Sequence, residues 1–95
     1  HPNVKVIFAA NDMMGLGALK SLEEAKRSDI RVGAYDALSE AVAEVRSGKL
    51  AVTVDQQAAE QGFQGIATAL RLLNGETVPS IILIDTRLVT AETAR

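Results

Sequence analysis

The 95 residues carry 10 Lys and Arg against 12 Asp and Glu, so the formal net charge is −2 and there is no basic field to attract nucleic acid or an anionic membrane. With no cysteine the chain has neither a disulfide framework nor a thiolate metal site, which leaves both cytoplasm and periplasm open. The longest apolar runs, residues 6–10 and 81–84, fall far short of the roughly 20 residues that span a bilayer.

A chain of this size can build one modest core, burying about 60–65% of its unfolded surface. Its start, His1-Pro2-Asn3, has no initiator Met, no basic segment and no apolar leader, and reads as the beginning of a piece cut from something longer. The β-branched run of residues 4–10 predicts a strand, ended by Asn11-Asp12. Met14, Ala18, Leu19, Leu22 and Ala25 then recur at helical spacing, with Lys20, Glu23, Glu24 and Lys26 opposite, up to a stop at Ser28-Asp29. The unit repeats. Residues 30–35 (IRVGAY) predict a second strand ended by Asp36, and Leu38, Ala41, Val42 and Val45 predict a second helix ending at Ser47-Gly48. A third strand over residues 50–54 exits through Asp55-Gln56. A third helix follows over residues 58–73 with Ile66, Ala69, Leu70 and Leu73 inward, and Ser80–Ile84 (SIILI) predicts a fourth strand. Strands alternating with helices and lacking clean polar alternation indicate the α/β class, a parallel sheet with helices on both faces.

Asn11-Asp12, Asp36 and Asp55-Gln56 each stand where a strand ends, and Asp85 ends the expected fourth. In open parallel sheets ligands bind beyond the carboxyl ends of the strands, so these side chains are expected along one rim. Carboxylates accept hydrogen bonds, while Asn and Gln both donate and accept, the chemistry that a polyhydroxylated ligand such as a sugar requires. Asn and Asp are equally the preferred helix N-caps, a purely structural use for the same residues. An acidic cluster at strand ends also suits a magnesium ion or phosphoryl acceptor, but no Lys is adjacent on the rim.

Enzyme motifs are missing. There is no G-x-S-x-G, no H-E-x-x-H and no P-loop, and His1, the single histidine, sits at the chain end. Gly15-Leu16-Gly17 hints at a dinucleotide loop, yet Lys20 takes the third glycine position. Gly15, Gly17 and Ala18 read instead as small residues that let a helix approach its strand. Met13 and Met14 read as core or lip residues.

Three motifs in order, Asn11-Asp12-x-Met14-x-x-Gly17-Ala18, then Gly33-x-Tyr35-Asp36, then Gly48-Lys49-Leu50-x-x-Thr53-Val54-x-Gln56, resemble the C-terminal part of periplasmic sugar-binding proteins of the ribose-binding type. The resemblance runs over nearly the whole chain. It implies a periplasmic-binding-protein-like, Rossmann-like three-layer fold present as a fragment, with no enzymatic activity and no cofactor. It also implies a function: part of an ABC-transporter solute-binding protein, periplasmic or extracellular, that holds a pentose, hexose or polyol between two lobes and passes it to a membrane permease. Asn11, Asp36 and Gln56 match the positions that hydrogen-bond sugar hydroxyls, and Asp12 is expected to cap the helix and orient its neighbour. Gly33-Ala34-Tyr35 replaces the commoner Val-Gly-Phe, and Gln57-Ala58 stands where Gln-Pro or Leu-Pro is frequent.

The family topology implies that residues 1–55 belong to the C-terminal lobe, 56–84 form a crossing plus a helix and strand of the other lobe, and 85–95 are the return crossing and tail. Only Phe8, Tyr35 and Phe63 are aromatic, so the rings on which such sugars stack are not expected here. Alone, such a piece should expose apolar faces and associate or swap elements. Two alternatives stand beside this reading: a cytoplasmic effector-sensing domain of a lactose-repressor-type regulator, whose DNA contacts lie in another module, and a shortened or rebuilt α/β unit without ligand activity.

Overall fold

The computed structural model describes residues 1–94 as four short strands and three helices: β1 (Val6–Phe8), α1 (Asp12–Glu24), β2 (Arg31–Tyr35), α2 (Ser39–Arg46), β3 (Val52–Asp55), α3 (Ala58–Leu73) and β4 (Arg87–Val89). They form one sheet in the order β1-β2-β3-β4. The first three strands are parallel, with Ile7 beside Val32 and Gly33 beside Val52. β4 runs antiparallel, with Thr53 opposite Val89 and Asp55 opposite Arg87.

Local chemistry sets the helix ends. Asn11 is extended at φ −150° and its Oδ1 accepts from Met14 N at 2.9 Å, satisfying one of the free amides that open α1. α2 and α3 stop at Gly48 and Gly75, whose φ values of 84° and 80° are left-handed and cost glycine nothing.

The core lies between one face of the sheet and the α1–α2 pair. Val32, Ala34, Ala41, Val45 and Leu50 are buried, and Ala18, Leu19 and Leu22 pack against them. Gly15 makes this possible: a Cβ there would stand 2.8 Å from Ala34 Cβ, so only a residue without a side chain lets α1 lie this close to β2. The chain's end returns to the same core, where Ala94 is buried and its carbonyl accepts from Arg46 Nε. Arg95, the last residue of the expected tail, lies outside the described residues.

Four expectations need correction. The fourth strand is not Ser80–Ile84 but Arg87–Val89, because a strand needs a neighbour for its ladder and no described strand pairs with residues 80–84. The helices do not cover both faces. β1, β2 and β3 step in one direction, α1 and α2 pack on each other, and the opposite face keeps Val6 and Phe8 exposed, with the Phe8 ring lying over Gly33. Met14 and Ala25, expected inward, are exposed, as is Met13. Most of all, α3 buries no residue: Phe63, Ile66, Leu70 and Leu73 make an apolar stripe that nothing covers, Leu73 being 83% exposed. α3 and residues 74–86 therefore stand away from the packed unit. The radius of gyration is 17.6 Å, against about 13 Å for a compact domain of similar size.

Candidate binding site at the strand exits

Because β1, β2 and β3 are parallel and adjacent, their exits stand side by side at one end of the sheet. Asn11 leaves β1, Asp36 leaves β2 and Gln56 leaves β3. All three are half-buried. Gln56 Nε2 donates to Asp36 Oδ1 at 2.7 Å, so the second and third exits meet directly. Among the described residues Asp36 Oδ2 and Asn11 Nδ2 have no hydrogen-bond partner, which leaves one acceptor and one donor along the rim. Gln61, on the first turn of α3, reaches back to Gln56 O at 2.8 Å and lies 3.4 Å from its Oε1.

The backbone at this rim is unusual. Asp36 has φ 123° and Ala37 φ 56°, two consecutive residues with side chains in the region that favours glycine. Such conformations persist where surrounding contacts over-determine them, and they cluster at functional sites.

Asp12 does not cap α1; Asn11 does. The Asp12 side chain points into the core, fully buried, and accepts from Thr53 Oγ1 at 2.6 Å and Leu38 N at 2.7 Å. The capping role expected of the exit residues is thus met by Asn11 alone among them, since the N-cap residues of α2 and α3, Leu38 and Gln57, make no side-chain capping hydrogen bond. Asp55 closes its own turn, accepting from Gln57 N at 2.7 Å, which fits Gln57 at φ 57°. Asp85 is exposed and meets the site through its main chain, whose oxygen accepts from Gln57 Nε2 at 2.5 Å. Beyond its place in a motif, Thr53 carries little mark of a role in the sequence. Its signal is period two: within residues 52–55, Thr53 alternates with Val52 and Val54 and so is the one that faces the helices.

The rim is an open shelf. Among the described residues two hollows lie away from the rim, one between α3 and Pro79–Ile84, another where the end of α1 meets Ile30 and Lys49. A small ligand held on the shelf needs a second wall.

Residues 1–77 match the family model described as the periplasmic binding protein domain. The chain belongs to that family. The Ribose import binding protein RbsB of Escherichia coli (strain K12) is 40% identical over 89 residues, which is 94% of this chain and 30% of that protein. The D-ribose/D-allose-binding protein of Pseudomonas aeruginosa is 40% identical over 78 residues, 81% of this chain and 24% of its own length. Among solved structures, an ABC transporter periplasmic solute binding protein from Actinobacillus succinogenes with bound D-allose superposes with a TM-score of 0.94 at 35% identity, over 99% of this chain and 33% of that one. This periplasmic binding protein chain therefore spans a third or less of the length of each of these relatives. All three are named as sugar- or solute-binding proteins.

Proposed function

We propose that this chain supplies one wall of a sugar site in a periplasmic or extracellular solute-binding protein, whose two lobes close on a pentose, hexose or polyol and deliver it to a membrane permease. The observation that carries the reading is the convergence of Asp36 and Gln56 from two strand exits, beside Asn11, at the ligand end of a parallel sheet. Each has a chemical part. Asp36 accepts from sugar hydroxyls, Asn11 donates through its free amide nitrogen, and Gln56 holds Asp36 in place while its own oxygen accepts.

The same reading gives the rest of the chain its use. Residues 1–55 belong to one lobe, residues 56–84 cross to the other and contribute α3, and residues 85–95 cross back. The β3–β4 pair and the bond from Gln57 to Asp85 bind the two crossings together, which supports a hinge at that place. The relatives named for ribose and allose and the neighbour holding D-allose support a sugar as the solute.

The test is calorimetric titration of D-ribose, D-allose and myo-inositol into the protein at its full natural length. Binding of at least one, weakened in Asp36→Ala by a factor of about 10 to 150, is the expected result, since a hydrogen bond to a charged group contributes about 1.5–3 kcal/mol. Absence of binding to every pentose, hexose and polyol tried would remove the reading.

A further inference from the structure

We infer that Asp12 and Thr53 are positioning residues that hold the Asp36 carboxylate in its sugar-binding orientation, an inference that rests on Asp36 being a sugar ligand. Asp12 and Thr53 are both 0% exposed, and neither can touch a ligand on the rim. Their hydrogen bonds nevertheless lead to the segment that carries Asp36. Thr53 Oγ1 donates to Asp12 Oδ1 at 2.6 Å and accepts from Ala37 N at 3.1 Å. Asp12 Oδ2 accepts from Leu38 N at 2.7 Å. Asp36 N donates to Val54 O at 2.9 Å. Three successive amides, those of residues 36, 37 and 38, are therefore each tied to a different acceptor: the β3 main chain, the Thr53 hydroxyl and the Asp12 carboxylate.

These are the residues at which the backbone leaves its ordinary range, Asp36 at φ 123° and Ala37 at φ 56°. An unsupported chain would relax both toward negative φ, swinging the Asp36 carboxyl away from Gln56. The buried pair removes that freedom before a ligand arrives, so ordering cost is not charged against binding. It also joins all three exits, because Asp12 follows Asn11 at the first, residues 36–38 form the second, and Thr53 leads to Gln56 at the third. A helix-capping role alone would account for the bond to Leu38 and leave those to Thr53 and Ala37 unexplained.

The test uses the protein at its full natural length and reads sugar affinity by calorimetry, well below the unfolding temperature of every variant. Thr53→Val keeps the shape and loses the hydroxyl. It should weaken binding about tenfold, whereas Thr53→Ser, which restores the hydroxyl, should stay within a factor of about three. Ala37→Gly added to Thr53→Val should recover part of the loss, because glycine adopts the left-handed conformation without support. A role in stability alone would lower the unfolding temperature and leave affinity and this rescue unmoved. In the unaltered protein without sugar, the Ala37 and Leu38 amides should be protected from hydrogen exchange. Free exchange there would overturn the inference even if Thr53→Val does not fold. If the unaltered protein binds sugar, Asp36→Ala loses it and Thr53→Val retains it, the positioning role falls while the ligand reading stands. If nothing binds, both fall.

Discussion

Asp36 and Gln56 are 20 residues apart and leave the sheet from different strands, yet the Gln56 side-chain amide donates to Asp36 Oδ1 at 2.7 Å. Two groups that share a hydrogen bond do not contribute to binding independently. Asp36→Ala and Gln56→Ala should each weaken sugar affinity, and the double variant should lose less than the product of the two factors, because Gln56 acts partly through Asp36. The coupling expected from a double-mutant cycle is on the order of 0.5–3 kcal/mol. Strict additivity, measured by calorimetry on the full-length protein, would mean that Gln56 contacts the ligand by itself or not at all.

Gly15 stands where α1 comes nearest to β2, and a Cβ there would meet Ala34 Cβ at 2.8 Å. Both partners are buried, and a β-carbon on the sheet cannot swing aside as the end of a flexible side chain can. Gly15→Ala should therefore force the helix outward and destabilise the fold by about 1–3 kcal/mol, the usual cost of overpacking, despite the better helix propensity of Ala. Gly17→Ala provides the contrast. Nothing lies within 4 Å of a Cβ at Gly17, so that change should be neutral or stabilising. Urea midpoints of the two variants decide the matter, and equal midpoints would mean that the close approach at Gly15 is readily relieved.

At the opposite end of the sheet Arg27 donates from Nε and Nη2 to the two carboxylate oxygens of Asp29, at 2.8 and 2.9 Å, and Lys5 lies 3.7 Å away. The Arg27 hydrogen bond, with help from the local backbone, holds the Asp29 carboxyl well below the usual carboxylate range. A carboxyl whose pKa is depressed on folding adds stability above its unfolded value, near 4, and that increment is lost as pH falls toward the folded value. The pair is exposed, so the increment is small and screened by salt. Asp29→Asn should lower the urea midpoint slightly at pH 6. As pH falls from about 4 toward the folded value, or in 1 M salt, the gap to the unaltered chain should shrink and then close. A gap that persists under both conditions would assign it to something other than the ion pair.

The helix and strand order was legible as far as each element buries a face within this chain. Ala18, Leu19 and Leu22 on α1, and Ala41 and Val45 on α2, repeat at helical spacing and pack where that spacing directs them. α3 shows the limit of the same rule: its apolar period is as clear as that of α1, but period reports what a face is suited to cover, not whether a partner is present. Residues 80–84 fail for the related reason that a β-branched run becomes a strand only beside another, and the strand that pairs with the free edge of β3 is Arg87–Val89. At the rim, the exit positions of Asn11, Asp36 and Gln56 follow from the element order. The inward turn of Asp12 does not, because a carboxylate after a strand is equally suited to capping and to bridging, and the choice was made by a threonine 41 residues away.

Phe63, Ile66, Leu70 and Leu73 lie along one side of α3 at spacings of three and four, each more than half exposed. Contiguous apolar surface of this kind is costly in water and drives association. Expressed as these 95 residues alone, the polypeptide should form dimers or larger species at micromolar concentration, with α3 in the contact. Replacing Ile66 and Leu70 together by Gln keeps good helix formers on α3 while removing two of the four apolar side chains. That double variant should shift the mass measured by light scattering toward a monomer, with helicity by circular dichroism unchanged. A monomeric unaltered chain would mean that α3 folds back on the packed unit in solution, and the exposed stripe would then have no part in association.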